Sequence, residues 1–213
     1  MEHKIIEFVD SLSTEKESSN VFNQYSLKLT YNAVRRNNLL LYLLQMKIIN
    51  PKVLLVGEAP GYQGCRLTGV PFTSESILIK GIEQFGLFGH HNGYQKTNEV
   101  TGQKKEPAAT IIWETLVNSN FIPLLWNAFP FHPYKNGKPQ SNRTPNKQEL
   151  EIGKFFLKYI IEIYNIDTVV AIGNHAESTL NKMIGNCKKV RHPSYGGKAE
   201  FVSGIQIILS ECC

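Results

Sequence analysis

Short apolar runs alternate with longer amphipathic stretches along this chain of 213 residues. Continuous apolar runs of about five residues are typical of strands that are buried on both faces of a parallel sheet. The predicted strands are Val53–Gly57, Leu124–Ala128, Thr168–Ile172 and Lys188–Val190, with a possible fifth strand at Gln206–Leu209.

The amphipathic stretches predict helices near Lys4–Leu12, Asn32–Met46, Glu75–Phe85, Thr110–Asn118, Asn146–Tyr164 and His175–Ile184. Thr144 followed by Pro145 is typical of an N-cap and a first helical residue. Asn174 with Glu177 three positions later predicts a capping box. The polar, turn-rich segment Gly89–Ala109 predicts a mobile surface loop.

Strand and helix alternate from residue 53 onward, which predicts an α/β fold with helices on both faces of the sheet. We expect a three-layer α/β/α sandwich with a central, mostly parallel four-stranded sheet. At this length one domain over residues 1–213 is the default, with residues 1–50 as a helical N-terminal extension packed on it.

Composition sets the broad class. The chain is 42% hydrophobic, which is enough for one sizeable core, and no apolar run approaches the roughly 20 residues that span a bilayer. The N-terminus carries acids and lacks a signal-peptide pattern, so we expect a soluble, intracellular, cytoplasmic protein without a membrane partner. The formal net charge of +5 permits nucleic acid as a partner but does not require it.

The four cysteines are Cys65, Cys187, Cys212 and Cys213, and no C-x-x-C pair occurs. These spacings predict ordinary reduced thiols rather than a zinc site, an iron–sulfur cluster or a disulfide framework. His90-His91 has no matching third ligand, so we expect no metal.

In parallel sheets, sites form beyond the carboxyl ends of the strands. The first strand is followed by Glu58, in a loop rich in glycine and proline that also contains Phe72. This loop has neither a G-x-x-x-x-G-K-[ST] nor a G-x-G-x-x-G phosphate motif. Glu58 is either a helix-cap or solvated carboxylate, or a site carboxylate. Phe72 is either a core residue or a ring that a rigid turn presents to a flat ligand.

Asn127 lies at the end of the second strand, and its amide offers a donor and an acceptor together. That pair suits the edge of a pyrimidine, although the amide could instead bond its own backbone. Downstream, His132 and Tyr134 could be ligands or surface residues. Arg143 is expected to brace its loop through backbone carbonyls rather than to contact substrate.

The third strand is followed by Gly173-Asn174-His175 and the fourth by a tight turn that contains His192. Arg191 and Lys198 flank this turn and suit phosphate contacts, to which Ser194 and the amides of Gly196-Gly197 could add.

Jointly, these motifs resemble those of the uracil-DNA glycosylase superfamily. GEAPG…TGVPF (57–72) is similar to the bacterial and archaeal branch called family 4, and NAFPFHP…NRTP (127–145) is similar to its second region. HPS at 192–194 resembles the closing motif of the superfamily. The match covers about residues 53–198.

The resemblance implies a uracil-DNA glycosylase fold and a repair enzyme that flips uracil out of DNA and hydrolyses its N-glycosidic bond, leaving an abasic site. Phe72 would stack on the base, Asn127 would bind its N3–H and O4 edge, and His192 would donate to O2. Glu58 would orient water or stabilise the sugar cation. The remaining implied contacts are Ala59 to uracil, and Pro60, Gly61, Arg191, Ser194, Tyr195, Gly196 and Lys198 to DNA.

The implied partners are uracil-containing DNA and free uracil as product, with a monomeric protein and no cofactor. Family 4 members commonly carry four cysteines for a [4Fe–4S] cluster, and that pattern is missing here. The residue that screens out the thymine methyl is expected near Gly64 or Cys65, and both are small. The closing loop has Tyr195 where a large apolar wedge is more usual. A glycosylase for another deaminated or damaged base, a non-catalytic DNA-binding module and an unrelated nucleotide-binding protein remain alternatives.

Overall fold

The computed structural model describes residues 1–212 and contains eight α-helices and six strands in that range. Cys213 lies outside the described residues. In chain order the elements are α1 (Glu2–Thr14), β1 (Val21–Phe22), α2 (Asn32–Ile49), β2 (Val53–Gly57), α3 (Cys65–Thr68), α4 (Glu75–Lys80), α5 (Pro107–Asn118), β3 (Leu124–Asn127), β4 (His132–Pro133), α6 (Lys147–Tyr164), β5 (Thr168–Ile172), α7 (Asn174–Ile184), β6 (Lys188–Val190) and α8 (Lys198–Cys212). Short 3₁₀ turns lie at Glu83–Phe85 and His90–Asn92.

A four-stranded parallel sheet with strand order β3-β2-β5-β6 forms the centre of the protein. The central strand β2 is fully buried, as its continuous apolar sequence predicts. Helix α6 packs against α1 and α7, and α5 packs against α8, so helices flank the sheet. The predicted α/β/α architecture and its four strands are confirmed.

Residues 1–50 contribute directly to the core. The Phe8 ring lies 5.3 Å from the Trp126 ring of β3, and the Leu125 N–H donates to the Tyr42 hydroxyl at 2.9 Å. The segment is not entirely helical, since β1 pairs antiparallel with β4. Among the described helices, none is long and apolar enough to cross a membrane.

The possible fifth strand at Gln206–Leu209 was wrong, because these residues lie inside α8. The buried residues Phe201, Ile205 and Ile208 recur at helical spacing, and a four-residue apolar window hides that period. The predicted helix Glu75–Phe85 ends early, at Lys80, because Gly81 adopts a positive φ of 81°.

Two predicted helix starts were displaced. Helix α6 begins after Asn146, which forms a reciprocal capping box with Glu149, rather than after Thr144. Helix α7 is capped by the backbone of Gly173, with no side-chain cap bond. The segment predicted as a mobile loop contains the buried Tyr94, whose ring packs edge-on against Phe88.

Cys65, Cys187 and Cys212 are free thiols. Cys65 is buried beside the Tyr25 hydroxyl, and burial raises the pKa of its thiol to about 12. Cys65 therefore stays protonated at neutral pH.

Candidate active site

The loops that follow β2, β3, β5 and β6 meet at the carboxyl edge of the sheet and enclose a cleft of about 660 Å³. The register brings the loops together, since Gly57 pairs with Asn127 and the Gly173 N–H donates to the Val190 carbonyl at 2.8 Å. Site residues predicted at the ends of β2, β3 and β6 line the cleft: Glu58, Ala59, Pro60, Gly61, Phe72, Asn127, Arg191, His192, Ser194 and Tyr195. Gly196 and Lys198 lie outside this lining.

Gly57 is the point at which the Phe72 ring and the Asn127 amide converge. A Cβ on Gly57 would lie closer to Cζ of Phe72 than any van der Waals contact allows, and 2.9 Å from Oδ1 of Asn127. The missing side chain thus leaves room for an aromatic face beside an amide, which is the shape that a planar heterocycle fits.

Phe72 packs against the hydrophobic core, and its backbone is held in an uncommon conformation. Its φ is +51°, which is uncommon for a residue with a side chain, and its carbonyl accepts a 3.0 Å hydrogen bond from Nε1 of Trp113. The ring is partly exposed at the cleft. Backbone strain of this kind clusters at ligand-binding positions.

The Asn127 amide is buried, with 4% exposure. It makes no hydrogen bond with any side chain or backbone group in residues 1–212, so the alternative in which it bonds its own backbone is not observed. Buried amides are normally paired, and an unpaired one that faces a cleft is ready to bind a ligand edge.

Glu58 faces the cleft between two polar neighbours. Its side chain is 24% exposed, and its Oε1 lies 3.9 Å from Nδ1 of His175 at the start of α7. Burial raises the pKa of the Glu58 carboxyl, while His175 and the Thr144 hydroxyl act in the opposite direction. The carboxylate is therefore held in a partly desolvated position from which it can stabilise positive charge.

His192 closes the cleft from the end of β6, close to Gly173. A Cβ on Gly173 would lie 2.9 Å from Cβ of His192, so this glycine permits the approach. The Ser194 backbone N–H donates to Nδ1 of His192 at 3.2 Å. Burial, together with the charge of Arg191, lowers the pKa of the His192 imidazole. The ring is therefore neutral at pH 7 and carries its proton on Nε2.

The turn after His192 projects into solvent. Tyr195 is fully exposed with a φ of +54°. Arg191 lies 3.5 Å from the Glu200 carboxylate and Lys198 lies 3.1 Å from that of Glu114. Exposed ion pairs are worth roughly 0–1 kcal/mol, so both cations can exchange these partners for phosphates.

His132 and Arg143 are structural braces of the site loops. His132 is buried, with Nδ1 2.8 Å from the Pro60 carbonyl and Nε2 3.2 Å from the Pro139 carbonyl. Arg143 donates to the carbonyls of Tyr134, Thr144 and Asn20 and binds both carboxylate oxygens of Glu149. The backbone contacts expected for Arg143 are observed, and Arg143 also lines the cleft.

The sequence interpretation gave no role to several cleft residues, among them the titratable His175 and Glu106. The position of His175 just after the third strand could have identified it as a site residue, although no role was given to it. Glu106 lay in the segment predicted as a mobile loop, where no pattern singled it out.

Comparison with known proteins agrees with this architecture. A family model described as the uracil DNA glycosylase superfamily matches residues 45–204. Among solved structures, wild-type SMUG2 of Pedobacter heparinus is similar in fold, with a TM-score of 0.66 and 16% sequence identity over 99% of this chain and 97% of that one. At such identity the likeness concerns the fold alone. A search of curated proteins gave no match.

The parallel sheet carries an aromatic ring, an amide and a histidine at its carboxyl edge, where they line one cleft. The family match extends over most of the chain. The chain belongs to the uracil DNA glycosylase superfamily, as its motifs indicated, and it is a DNA glycosylase whose substrate is DNA.

Proposed function

We propose that the protein is a monofunctional uracil-DNA glycosylase that removes uracil by hydrolysis and leaves an abasic site. The observation that carries the proposal is the Asn127 amide, which is buried beside the Phe72 ring and has no hydrogen-bond partner in the part of the chain that the structure describes. Uracil presents O4 as an acceptor and N3–H as a donor, which complement the NH₂ and the carbonyl of that amide.

Phe72 offsets part of the cost of extracting the base. Taking a base out of the duplex costs a few kcal/mol, because stacking and pairing are lost. Stacking on an aromatic ring returns roughly 1–3 kcal/mol per base. Ala59 completes the base-binding surface next to Glu58.

His192 acts on the leaving group. As the bond between C1′ and N1 breaks, its electron pair moves onto the uracil ring, and negative charge develops at O2. The Nε2–H of the neutral imidazole donates to O2 in the way that an oxyanion-hole donor does. The Ser194 N–H on Nδ1 keeps the proton on Nε2.

Glu58 acts on the sugar. Loss of uracil leaves an oxocarbenium-like centre at C1′, which a nearby carboxylate stabilises, as in glycoside hydrolysis. A water oriented by this carboxylate adds to C1′. Its proton balances the negative charge on the departing uracil, and the products are free uracil and the abasic sugar.

The DNA backbone is bound around this cleft. Arg191 and Lys198 contact phosphates, with Ser194 and the backbone of Pro60, Gly61 and Gly196 as neutral donors or spacers. Tyr195 is fully exposed at the tip of its turn, where it can fill the space that the flipped base vacates.

A base-release assay tests the proposal. Single-stranded and duplex oligonucleotides that carry one uracil or one hypoxanthine are incubated with wild type and His192→Ala in EDTA. We expect free uracil from the wild type and a loss of about 10²-fold or more in His192→Ala, since an oxyanion donor contributes that much. Release of hypoxanthine but not uracil, or DNA binding without release of either base, would contradict it.

A further inference from the structure

Glu106 fills a gap in the wall of the cleft that Gly61 and Gly64 leave open. A Cβ on Gly64 would clash with Oε2 of Glu106, and a Cβ on Gly61 would lie 3.0 Å from its Oε1. Gly61 and Gly64 have no side chains to fill this part of the cleft wall. The carboxyl group of Glu106, which belongs to another segment, occupies the space instead.

The position of Glu106 on its helix does not explain this orientation. Glu106 is the N-cap residue of α5, yet its side chain makes no cap bond. Its backbone carbonyl accepts from the Thr110 hydroxyl at 3.3 Å, whereas its carboxyl group has no hydrogen bond or ion pair with any group in residues 1–212. Burial among the cleft walls raises the pKa of its carboxyl to about 7. The Glu106 side chain is partly exposed at the cleft, so its carboxyl group is available to a ligand bound there.

The loop that contains Gly61 and Gly64 lies against the segment that follows β3. Next to Gly64, Cys65 lies beside Nε2 of Gln24, which also donates to the Pro130 carbonyl at 2.7 Å. His132 lies 2.8 Å from the Pro60 carbonyl. This side of the cleft is opposite β6, the strand that supplies His192, because β3 and β6 are the two edges of the sheet.

The proposed orientation of uracil determines which atom of the ring lies on the side of Glu106. Round the ring from O2 come N3, C4 with its oxygen, and C5. If His192 binds O2 and Asn127 binds N3–H and O4, C5 lies beyond Asn127 on the side away from His192. On that side Gly61 and Glu106 line the cleft, and the Glu106 carboxyl group lies against both Gly61 and Gly64.

Resting on the proposed function, we propose that Glu106 faces C5 of the base and determines which C5 substituents the enzyme accepts. A methyl group there would cover the carboxyl group without giving it a hydrogen bond, which disfavours thymine. A substituent with an O–H or N–H donor would bind the carboxyl group. The favoured substrate class is uracil that is unsubstituted or carries a polar donor at C5.

Glu106→Leu and Glu106→Gln test the assignment through ratios of base release within each variant, which do not depend on the fraction folded. The oligonucleotides carry uracil, 5-hydroxymethyluracil or thymine opposite guanine, and single-turnover rates are measured. The control is Glu83→Gln, which alters an exposed glutamate outside the cleft lining.

We expect the ratio of hydroxymethyluracil to thymine release to fall about 10-fold or more in Glu106→Leu. Glu106→Gln keeps a hydrogen-bonding group and should keep most of the ratio, and Glu83→Gln should match the wild type. Wild-type release of uracil with an unchanged ratio in Glu106→Leu would overturn this inference alone. A wild type that releases no uracil would overturn the proposed function and this assignment with it.

Discussion

At the scale of single residues, the proposed chemistry depends on which side chains lack a hydrogen-bond partner and which have a fixed tautomer or protonation state. Within residues 1–212 the Asn127 side chain is buried without a hydrogen-bond partner, whereas His192 has its tautomer fixed by the Ser194 N–H. Glu58 is partly desolvated, so its protonation state responds to its neighbours. The chemistry that we propose needs Glu58 ionised and His192 neutral, and both conditions fail as the pH falls.

His175→Ala should move the acidic limb of the uracil-release profile to higher pH. The charge of His175 lowers the pKa of Glu58, so its removal raises that pKa further above the ordinary value. Activity that requires the Glu58 carboxylate appears only as the pH rises through its pKa, which fixes the sign of the shift.

The measurement is the single-turnover rate from pH 4.5 to 8. The matched control is His3→Ala, which removes an exposed histidine from α1. An acidic limb that stays in place in His175→Ala would show that the charge on Glu58 does not limit the reaction.

At this scale the sequence predicted the residues that directly follow strands, because a strand end fixes position. Glu58, Asn127 and His192 were found in this way, and all three line the cleft. Glu106 could not be found. It reaches the site through the start of a crossover helix, and its relation to Gly61 and Gly64 exists only in three dimensions.

At the scale of elements, close approach between loops shapes the cleft. Gly57 ends β2 and carries no side chain at the point where Phe72 and Asn127 meet. Gly173 likewise has no side chain at the point where His192 approaches it. The strand register fixes the positions of both glycines. The positions of the loops that follow them are therefore determined by the sheet.

Gly57→Ala should impair base release by about 10-fold or more and destabilise the fold by roughly 1–3 kcal/mol. The added methyl group forces the Phe72 ring and the Asn127 amide out of position in a packed region. Release kinetics and denaturant unfolding measure the two effects separately.

Gly204→Ala serves as the control because it adds the same group on α8, outside the cleft lining. It should leave base release unchanged. Normal uracil release by Gly57→Ala would mean that the ring and the amide can separate without loss of function.

The element boundaries show where local patterns stop being informative. Three of the four strands of the sheet were predicted because each is a short apolar run, whereas β6 has the sequence KKV. The run at 206–209 was assigned to the wrong type because a window of four residues cannot distinguish strand from helix. The start of α6 was displaced because Thr144-Pro145 competes with the capping box of Asn146 and Glu149.

At the scale of the whole molecule, the N-terminal helices are part of the support for the sheet. Phe8 of α1 contacts Trp126 of β3, and Tyr42 of α2 accepts a hydrogen bond from the edge strand. We therefore propose that the described chain unfolds as one domain.

Phe8→Ala should cost about 3–5 kcal/mol of unfolding free energy, because it leaves a cavity against the sheet. Tryptophan fluorescence and far-UV circular dichroism should still report one coincident transition. Ile6→Ala, on the exposed side of the same helix, should cost far less. Two separate transitions in the wild type would contradict the single domain.

Charge is also a property of the whole molecule. The formal net charge of +5 gives a moderate attraction to DNA. In the proposed complex, Arg191 and Lys198 supply part of this positive charge at the phosphates. Each phosphate contact contributes about 0.9 to the slope of log K against log salt on duplex DNA.

The double variant Arg191→Ala/Lys198→Ala should reduce that slope by about 1.8. The control is Lys4→Ala/Lys47→Ala, which removes two lysines that also form surface ion pairs. Equal slopes for both double variants, measured by fluorescence anisotropy on one duplex, would show that the turn after β6 does not contact phosphates.

The most direct test of the account is uracil release by Asn127→Asp under single-turnover conditions, with Asn118→Asp as the control on an exposed asparagine of α5. The carboxylate of Asp cannot donate to O4 and would place two acceptors face to face. We predict a loss of about 10²-fold or more for Asn127→Asp at unchanged fold, and none for Asn118→Asp. Uracil release within a few-fold of the wild type in Asn127→Asp would show that this amide does not bind the base.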